Sequence, residues 1–137
     1  MTGPGTLVPT TTESKTMGYT TKFEGVINVM GCEQNLHAFK SFMDELYDTR
    51  HGDDAHEDPG CPSFYCQWEF DDRTSTIQWD GGEKFYGYVE WMKIVCKKAD
   101  HFGLVCNGKV RWQGEELGDI GVITVEDNIV STGPLKW

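Results

Sequence analysis

A chain of 137 residues, 38% of them hydrophobic, has room for one domain with a substantial buried core. Its 22 acidic and 12 basic residues give a net charge of −10. This balance disfavours direct binding to nucleic acid or to anionic lipid, because both ligands need lysine and arginine. No apolar run approaches the roughly 18 residues of a membrane-spanning helix, so no membrane contact is expected.

The first 16 residues, "MTGPGTLVPTTTESKT", are rich in Thr, Pro and Gly and have no apolar period, which predicts a flexible N-terminal tail. They lack the basic and apolar regions of a secretory signal. Met17 is a candidate alternative start. We expect one α+β domain over residues 17–132 and a C-terminal tail over 133–137.

Alternation in residues 20–29 predicts a strand, and the spacing that follows predicts an amphipathic helix over 33–49. The inward residues of the strand are Phe23, Gly25, Ile27 and Val29. The apolar line of the helix is Leu36, Phe39, Met43 and Leu46, flanked by Phe42 and Tyr47. A polar loop then leads to a predicted hairpin, "SFYCQWEF" and "STIQWD" joined by "DDRT". Its core-facing residues are Phe64, Cys66, Trp68, Ile77 and Trp79.

The stretch "WDGGEK", residues 79–84, precedes a second amphipathic helix predicted over 83–99. The inner line of this helix is Phe85, Val89, Met92, Cys96 and Ala99. Asp80 is expected to cap the first turn, with Glu83 completing a capping box. Neither glycine-rich phosphate-binding pattern is present, and two acids at a helix start repel phosphate. A structural joint is therefore the preferred interpretation of "WDGGEK", and a ligand-binding loop is the alternative.

The same helix phase turns a second line of residues outward. This stripe consists of Gly87, Trp91, Ile94 and Lys98. An exposed tryptophan beside an isoleucine is typical of a contact surface for a partner or a second copy. The alternative is that the C-terminal strands or the N-terminal tail cover the stripe.

The C-terminal part predicts a hairpin in "GLVCNGKVRWQG" with a two-residue turn at Asn107-Gly108. The segment "GVITVEDNIVST" then predicts a strand pair, or one long bent strand, that turns near Asp127-Asn128. The elements follow the order strand, helix, strand, strand, helix, strand, with further strands at the end. This order predicts a ferredoxin-like split βαβ sandwich, an antiparallel sheet with two helices on one face.

Acidic residues concentrate between the first helix and the hairpin. Besides Glu45, the segment carries Asp44, Asp48, Asp53, Asp54, Glu57 and Asp58. Such a segment can dock on a basic partner, for example a nucleic-acid-binding protein whose ligand it imitates. A solvated, solubilising face is the plainer interpretation.

The best metal candidate is the set His51, His56, Cys61 and Cys66, which has zinc-like ligand types and spacing. Cys66 lies in a predicted strand facing the core, so no metal is expected. The odd number of five cysteines argues against a disulfide framework and for buried thiols in a reducing cytoplasm. No nucleophile motif is present, and the sequence predicts no cofactor.

The blocks "EKFYGYVEW", "NGKVRWQGE" and "VEDNIV" resemble a family of small, mostly uncharacterised proteins encoded by phages and bacteria. The resemblance covers Met17 to Ser131. It implies an intracellular setting linked to phages or mobile elements, and it implies no activity or catalytic residues.

The preferred functional hypothesis is a small acidic, non-enzymatic interaction protein, phage-encoded, that binds and inhibits a host protein. A nucleic-acid-handling defence system, such as CRISPR or restriction, fits the excess of acid. The alternative is a binding module for a small molecule or nucleotide signal. A metal-dependent or thiol enzyme is the least favoured class. Self-association through the stripe is compatible with each.

Overall fold

The computed structural model describes residues 19–52 and 61–134, which form a mixed α+β domain. Its elements in chain order are β1 (Lys22–Met30), α1 (Glu33–Asp48), β2 (Trp68–Asp71), β3 (Thr76–Trp79), α2 (Tyr88–His101), β4 (Val105–Gln113), β5 (Ile120–Glu126) and β6 (Ile129–Gly133). The predicted N-terminal tail over 1–16 and the candidate start at Met17 lie outside the described residues. The predicted C-terminal tail over 133–137 starts too early, because Gly133 is the last residue of β6, and its residues 135–137 lie outside the described residues.

The strands form one six-stranded sheet in the order β2-β3-β1-β4-β5-β6. Every neighbouring pair is antiparallel. The longest ladder joins β1 to β4 from Lys22 opposite Gln113 to Met30 opposite Val105. The first of the described strands therefore lies in the middle of the sheet.

Both helices pack on one face of the sheet, and a single apolar cluster fills the space between them. The largest fully buried side chains are those of Trp68, Trp91, Phe39, Phe85 and Ile27. Phe23 of β1 meets four aromatic rings, with centroids 4.9 to 5.7 Å away. Edge-to-face packing of this kind stabilises a core beyond the area it buries.

The predictions for the first strand and first helix are confirmed. In β1 the odd-numbered residues face the core, and Ile27 and Val29 are buried. In α1 the line through Phe39 and Met43 is buried against the sheet. The predicted hairpin also forms, but its first strand begins only at Trp68 and Phe64 is half-buried outside the core cluster.

The predicted start of the second helix is wrong. The helix begins at Tyr88, after Gly87 in the left-handed region with φ 68°. Asp80 therefore caps no helix. Its Oδ1 accepts a hydrogen bond from the Gly82 N–H at 2.7 Å, and its Oδ2 accepts one from the Tyr47 hydroxyl at 2.8 Å. "WDGGEK" is a folded loop with its own hydrogen bonds.

The predicted hairpin at Asn107-Gly108 is also wrong, because both residues lie inside the continuous strand β4. A Cβ at position 108 would lie 2.6 Å from the Val26 carbonyl oxygen, so this glycine permits the close approach of β1. The other predicted turn, near Asp127-Asn128, is confirmed, and these two residues have positive φ angles of 49° and 73°. Those angles define the type I′ turn that suits a tight hairpin.

Candidate functional site

A cleft of about 470 Å³ lies between the segment that follows α1 and the loop that leads into α2. We call it the aromatic–basic cleft. Its lining residues are Arg50, Ser63, Phe64, Tyr65, Gln67, Glu83, Lys84 and Tyr86. The volume lies within the usual range for small-molecule sites.

One wall is the "WDGGEK" loop. Gln67 fastens it, since its Nε2 donates to the Glu83 carbonyl at 2.7 Å while its Oε1 accepts from the Trp79 indole at 3.2 Å. These contacts hold the loop against the β2–β3 hairpin, and the hydrogen bond from Tyr47 to Asp80 joins the loop to α1. The cleft therefore has a preformed wall.

Lys84 occupies an uncommon backbone conformation in this wall, with φ at 60°. Such a φ costs a non-glycine residue about 1–2 kcal/mol. Lys84 is exposed and makes no ion pair within the part of the chain that the structure describes. Backbone outliers of this kind concentrate at functional sites, where they aim a side chain.

The opposite wall is anchored to the core through Ser63, which is buried. Its Oγ accepts a hydrogen bond from the Trp91 indole at 2.7 Å and donates to the Tyr86 carbonyl at 2.8 Å. The buried Ser63 hydroxyl thus links this wall to the loop that leads into α2. Nearby, the Arg50 guanidinium lies over the Phe64 ring, 4.9 Å from its centroid.

Two tyrosines border the opening. Tyr65 is 51% exposed and Tyr86 is 46% exposed. The Tyr86 hydroxyl accepts a hydrogen bond from the Tyr19 N–H at 2.9 Å. Two cationic side chains and exposed aromatic rings suit a ligand that combines a planar ring with negative charge.

The lining offers little for catalysis. Among the described residues, it contains no cysteine, histidine or aspartate, and its one carboxylate is that of Glu83. Its one aliphatic hydroxyl, on Ser63, is already engaged by Trp91 and the Tyr86 carbonyl. A nucleophile needs an adjacent base, and the lining places none beside this hydroxyl.

A second groove of about 370 Å³ lies where β1 begins and where β3 and β4 end. Its aromatic side chains, Phe23, Trp79 and Trp112, pack against the core cluster. Its arginine, Arg111, is ion-paired with Glu24. The aromatic–basic cleft, with exposed rings, is therefore the better candidate site.

The structure contradicts the predicted outward stripe. Trp91 is 1% exposed, its indole bonds to Ser63, and its ring lies 4.9 Å from that of His51. Ile94 is half-buried against the core cluster. The Lys98 ammonium lies over the rings of Phe42 and Phe102.

Gly87, the first member of the stripe, ends the loop before α2 and lies against Pro62. The segment around Ser63 and the ring of His51 thus cover Trp91. The stripe does not form a continuous contact surface.

The acidic segment is described only in part. Asp44, Glu45 and Asp48 lie exposed on α1, and Asp44 pairs with Lys40 at 3.0 Å. Four further predicted partner-binding acids, Asp53, Asp54, Glu57 and Asp58, fall outside the described residues. Their part of the prediction stays a prediction.

The candidate zinc ligands that the structure describes lie in different environments. His51 is buried, with Nε2 3.2 Å from the Leu46 carbonyl oxygen, and Cys61 is half-buried. Burial raises the pKa of the Cys66 thiol to about 12, which keeps it protonated. His56 lies outside the described residues. Residues 19–52 and 61–134 hold no cluster of three or more metal-binding side chains.

Sequence reasoning missed the cleft residues Arg50, Tyr65, Lys84 and Tyr86. The available signal was "WDGGEK" itself, in which a lysine follows two glycines and an acid. The ligand-loop alternative for "WDGGEK" concerns only a phosphate bound at the start of a helix.

Comparison of the chain with family models, curated proteins and solved structures gives no match. Among the described residues, neither helix is long and apolar enough to cross a membrane.

Proposed function

We propose that this protein is a non-enzymatic binding module that holds a small aromatic anion of the nucleotide class in the aromatic–basic cleft. The observation that carries the proposal is the joint presence of Arg50, Lys84 and two exposed tyrosines around one cavity of about 470 Å³. The lining has two cations, Arg50 and Lys84, against one carboxylate, Glu83, on a chain with a net charge of −10.

Each part of such a ligand has a partner in the lining. A base can stack on Tyr65 or Tyr86, and stacking on aromatic side chains contributes about 1–3 kcal/mol per base. A phosphate can accept hydrogen bonds from the Lys84 ammonium and the Arg50 guanidinium. Lys84, whose backbone is left-handed, lies in the loop that forms one wall of the cleft.

Isothermal titration calorimetry with nucleosides, nucleotides and pyrophosphate tests the proposal. Nucleotides should bind more tightly than the matching nucleosides. Lys84→Gln should weaken nucleotide binding about tenfold or more, since a hydrogen bond to a charged group contributes about 1.5–3 kcal/mol. Lys93→Gln, at an exposed position on α2, is the matched control and should bind as the unaltered protein does.

Two results would contradict the proposal. One is the absence of binding by every nucleotide to a folded protein. The other is nucleotide binding that Lys84→Gln and Tyr65→Ala leave unchanged, which would locate the ligand elsewhere.

A second candidate function, inhibition of a host protein with a basic nucleic-acid-binding surface, is supported by the exposed acids of α1. Asp44, Glu45 and Asp48 lie on its last turns, next to the acidic segment that follows. A phage-encoded inhibitor of a defence system would use such a surface for electrostatic complementarity.

A pull-down with a CRISPR or restriction protein tests this second function. Asp48→Lys should weaken a complex that also weakens with salt, while Glu126→Lys on the far strand β5 should not. Equal effects of the two variants would show a dependence on net charge alone.

We also propose that α1, α2 and the first four strands form a ferredoxin-like split βαβ unit extended by β5 and β6. The strand order β2-β3-β1-β4 supports this assignment, because it is the order of that unit. None of the five cysteines forms a disulfide bond, which supports a reducing compartment, the cytoplasm of the producing or host cell.

A further inference from the structure

The two edges of the sheet differ in charge. The edge strand β2 is four residues long and carries Glu69 and Asp71. The other edge strand, β6, has the sequence IVSTG and carries no charged residue. Proteins commonly protect an edge strand with charge, proline or a bulge, because an unprotected edge can pair with another chain. Of the two described edge strands, only β2 carries protecting charges.

The turn before β6 determines which of its backbone groups face outward. In a two-residue type I′ hairpin the flanking residues, Glu126 and Ile129, form a hydrogen-bonded pair. Alternation then directs the backbone groups of Ser131 and Gly133 to β5. The N–H and C=O groups of Val130 and Thr132 point away from the sheet. Within residues 19–52 and 61–134, no strand lies beyond β6.

We propose that β6 pairs antiparallel with β6 of a second copy of this chain. The register that uses all outward groups sets Val130 opposite Thr132 of the other copy, with Ser131 on the twofold axis. It forms four hydrogen bonds between the two chains. Pairing ends at Pro134, which has no N–H to donate.

Side chains fit the same register. Ile129 is 72% exposed. In the pair it lies opposite Gly133 of the other copy, whose lack of a side chain leaves room for it. A closed twofold interface of this kind is self-complementary and ends at two copies.

If two copies pair edge to edge, charge favours the β6 edge over the β2 edge. Two chains of net charge −10 repel each other, and β6 is the edge that adds no further acid to the contact. Among the N-terminal residues of the same chain, Pro4 and Pro9 cannot donate in a ladder, whereas residues 10–18 contain no proline, so amide exchange is needed to distinguish this occupant from a second copy.

Sedimentation equilibrium over a range of protein concentrations tests the proposal. The unaltered protein should reach twice the 15.5 kDa mass of the chain. Ser131→Lys should be monomeric, because it places two ammonium groups together on the twofold axis. Gln113→Lys, an exposed position on the interior strand β4, is the matched control and should dimerise normally.

Thr132→Pro gives a second test that adds no charge. It removes an outward N–H and leaves the bonds to β5, so two of the four interchain bonds are lost and the dissociation constant should rise about thirtyfold. Circular dichroism should show both edge variants folded.

Amide hydrogen exchange identifies the occupant of the edge. In the dimer, protection of the Val130 and Thr132 amides should rise with protein concentration. Protection that is independent of concentration, in a monomeric protein, would show that another part of the same chain covers β6 and would overturn the proposal. A dimer that persists in both Ser131→Lys and Thr132→Pro would overturn it as well.

Discussion

Replacing Trp91 with alanine is expected to lower the free energy of unfolding by about 3–5 kcal/mol. The side chain is 1% exposed, belongs to the core cluster and is covered by the segment around Ser63 and the ring of His51. Removing the indole leaves a cavity that the surrounding strands and helix can close only in part. Domains of this size have a total stability of about 5–15 kcal/mol, so the variant should be close to unfolding.

The hydrogen bond of Trp91 can be separated from its packing with Trp91→Phe. Phenylalanine keeps most of the apolar contact but removes the indole donor, which lies 2.7 Å from Ser63 Oγ. Ser63 is buried, so its oxygen loses a partner that water cannot readily replace. The expected loss is about 1–3 kcal/mol.

Urea denaturation followed by circular dichroism measures these changes. A double-mutant cycle with Ser63→Ala should give a coupling energy of about 1 kcal/mol, the usual net contribution of such a bond. Tyr65→Ala, at an aromatic position that is 51% exposed, is the control and should change stability by about 0.5 kcal/mol or less.

An unchanged urea midpoint for Trp91→Ala would refute this reasoning. It would mean that the indole faces outward, as the helix phase alone predicts. Weakened self-association of that stable variant would then restore the stripe as a contact surface.

Three further predictions concern strain, ionisation and thiol access. Gly87→Ala should lower stability by about 2–4 kcal/mol, from its positive φ and a Cβ only 2.5 Å from a proline ring; Gly118→Ala, with open space around it, should lose about 1–2 kcal/mol in the same urea assay. The hydrogen bond to an aspartate raises the pKa of Tyr47 from 10.0 to about 12, and burial raises the pKa of Tyr88 from 10.0 to about 12. Because both ionise more readily in the unfolded chain, the stability they contribute is complete below pH 10 and is lost as pH rises towards about 12; alkaline urea melts should show this loss, and a flat profile would contradict it. Ellman's reagent should modify Cys32 rapidly in the native protein and the three buried thiols only on unfolding; rapid reaction of all five thiols in the native protein would contradict the described burial.

Much of the secondary structure was predictable from local patterns. The spacing of Phe39 and Met43 defines one buried face, and α1 ends within a residue of its predicted end. Alternation placed β1 and its inward residues correctly. These patterns work because the buried side of an element is encoded in the residues of that element.

Local turn chemistry was a poorer guide. Asn107-Gly108 has the composition of a type I′ turn, yet it lies inside β4 because pairing with β1 along nine residues stabilises a continuous strand. Asp127-Asn128 forms the turn, helped by the Asn128 side chain, whose Oδ1 accepts from the Cys106 N–H at 2.6 Å. A pairing partner distant in sequence decides between two such dipeptides.

The candidate site depended on tertiary structure for the same reason. "WDGGEK" reads as a helix cap when Asp80 is considered with its neighbours alone. In the fold its carboxylate is taken by Tyr47, 33 residues away, and the loop becomes one wall of the aromatic–basic cleft. The other wall comes from the segment around Ser63, which no local pattern links to α2.

The sequence by itself determined the fold class, the order of most elements and the face of each element that is apolar. Helix phase was wrong for Trp91: it set this residue apart from the line through Met92 and Cys96, whereas the structure buries all three on one side of α2 together with Val95 and Ala99. Periodicity could not determine what lies against Trp91, since a tryptophan covered by His51 and one left for a partner have the same spacing. Only the tertiary structure decided this, because cover depends on where residues distant in the chain are brought by the packing of the whole domain.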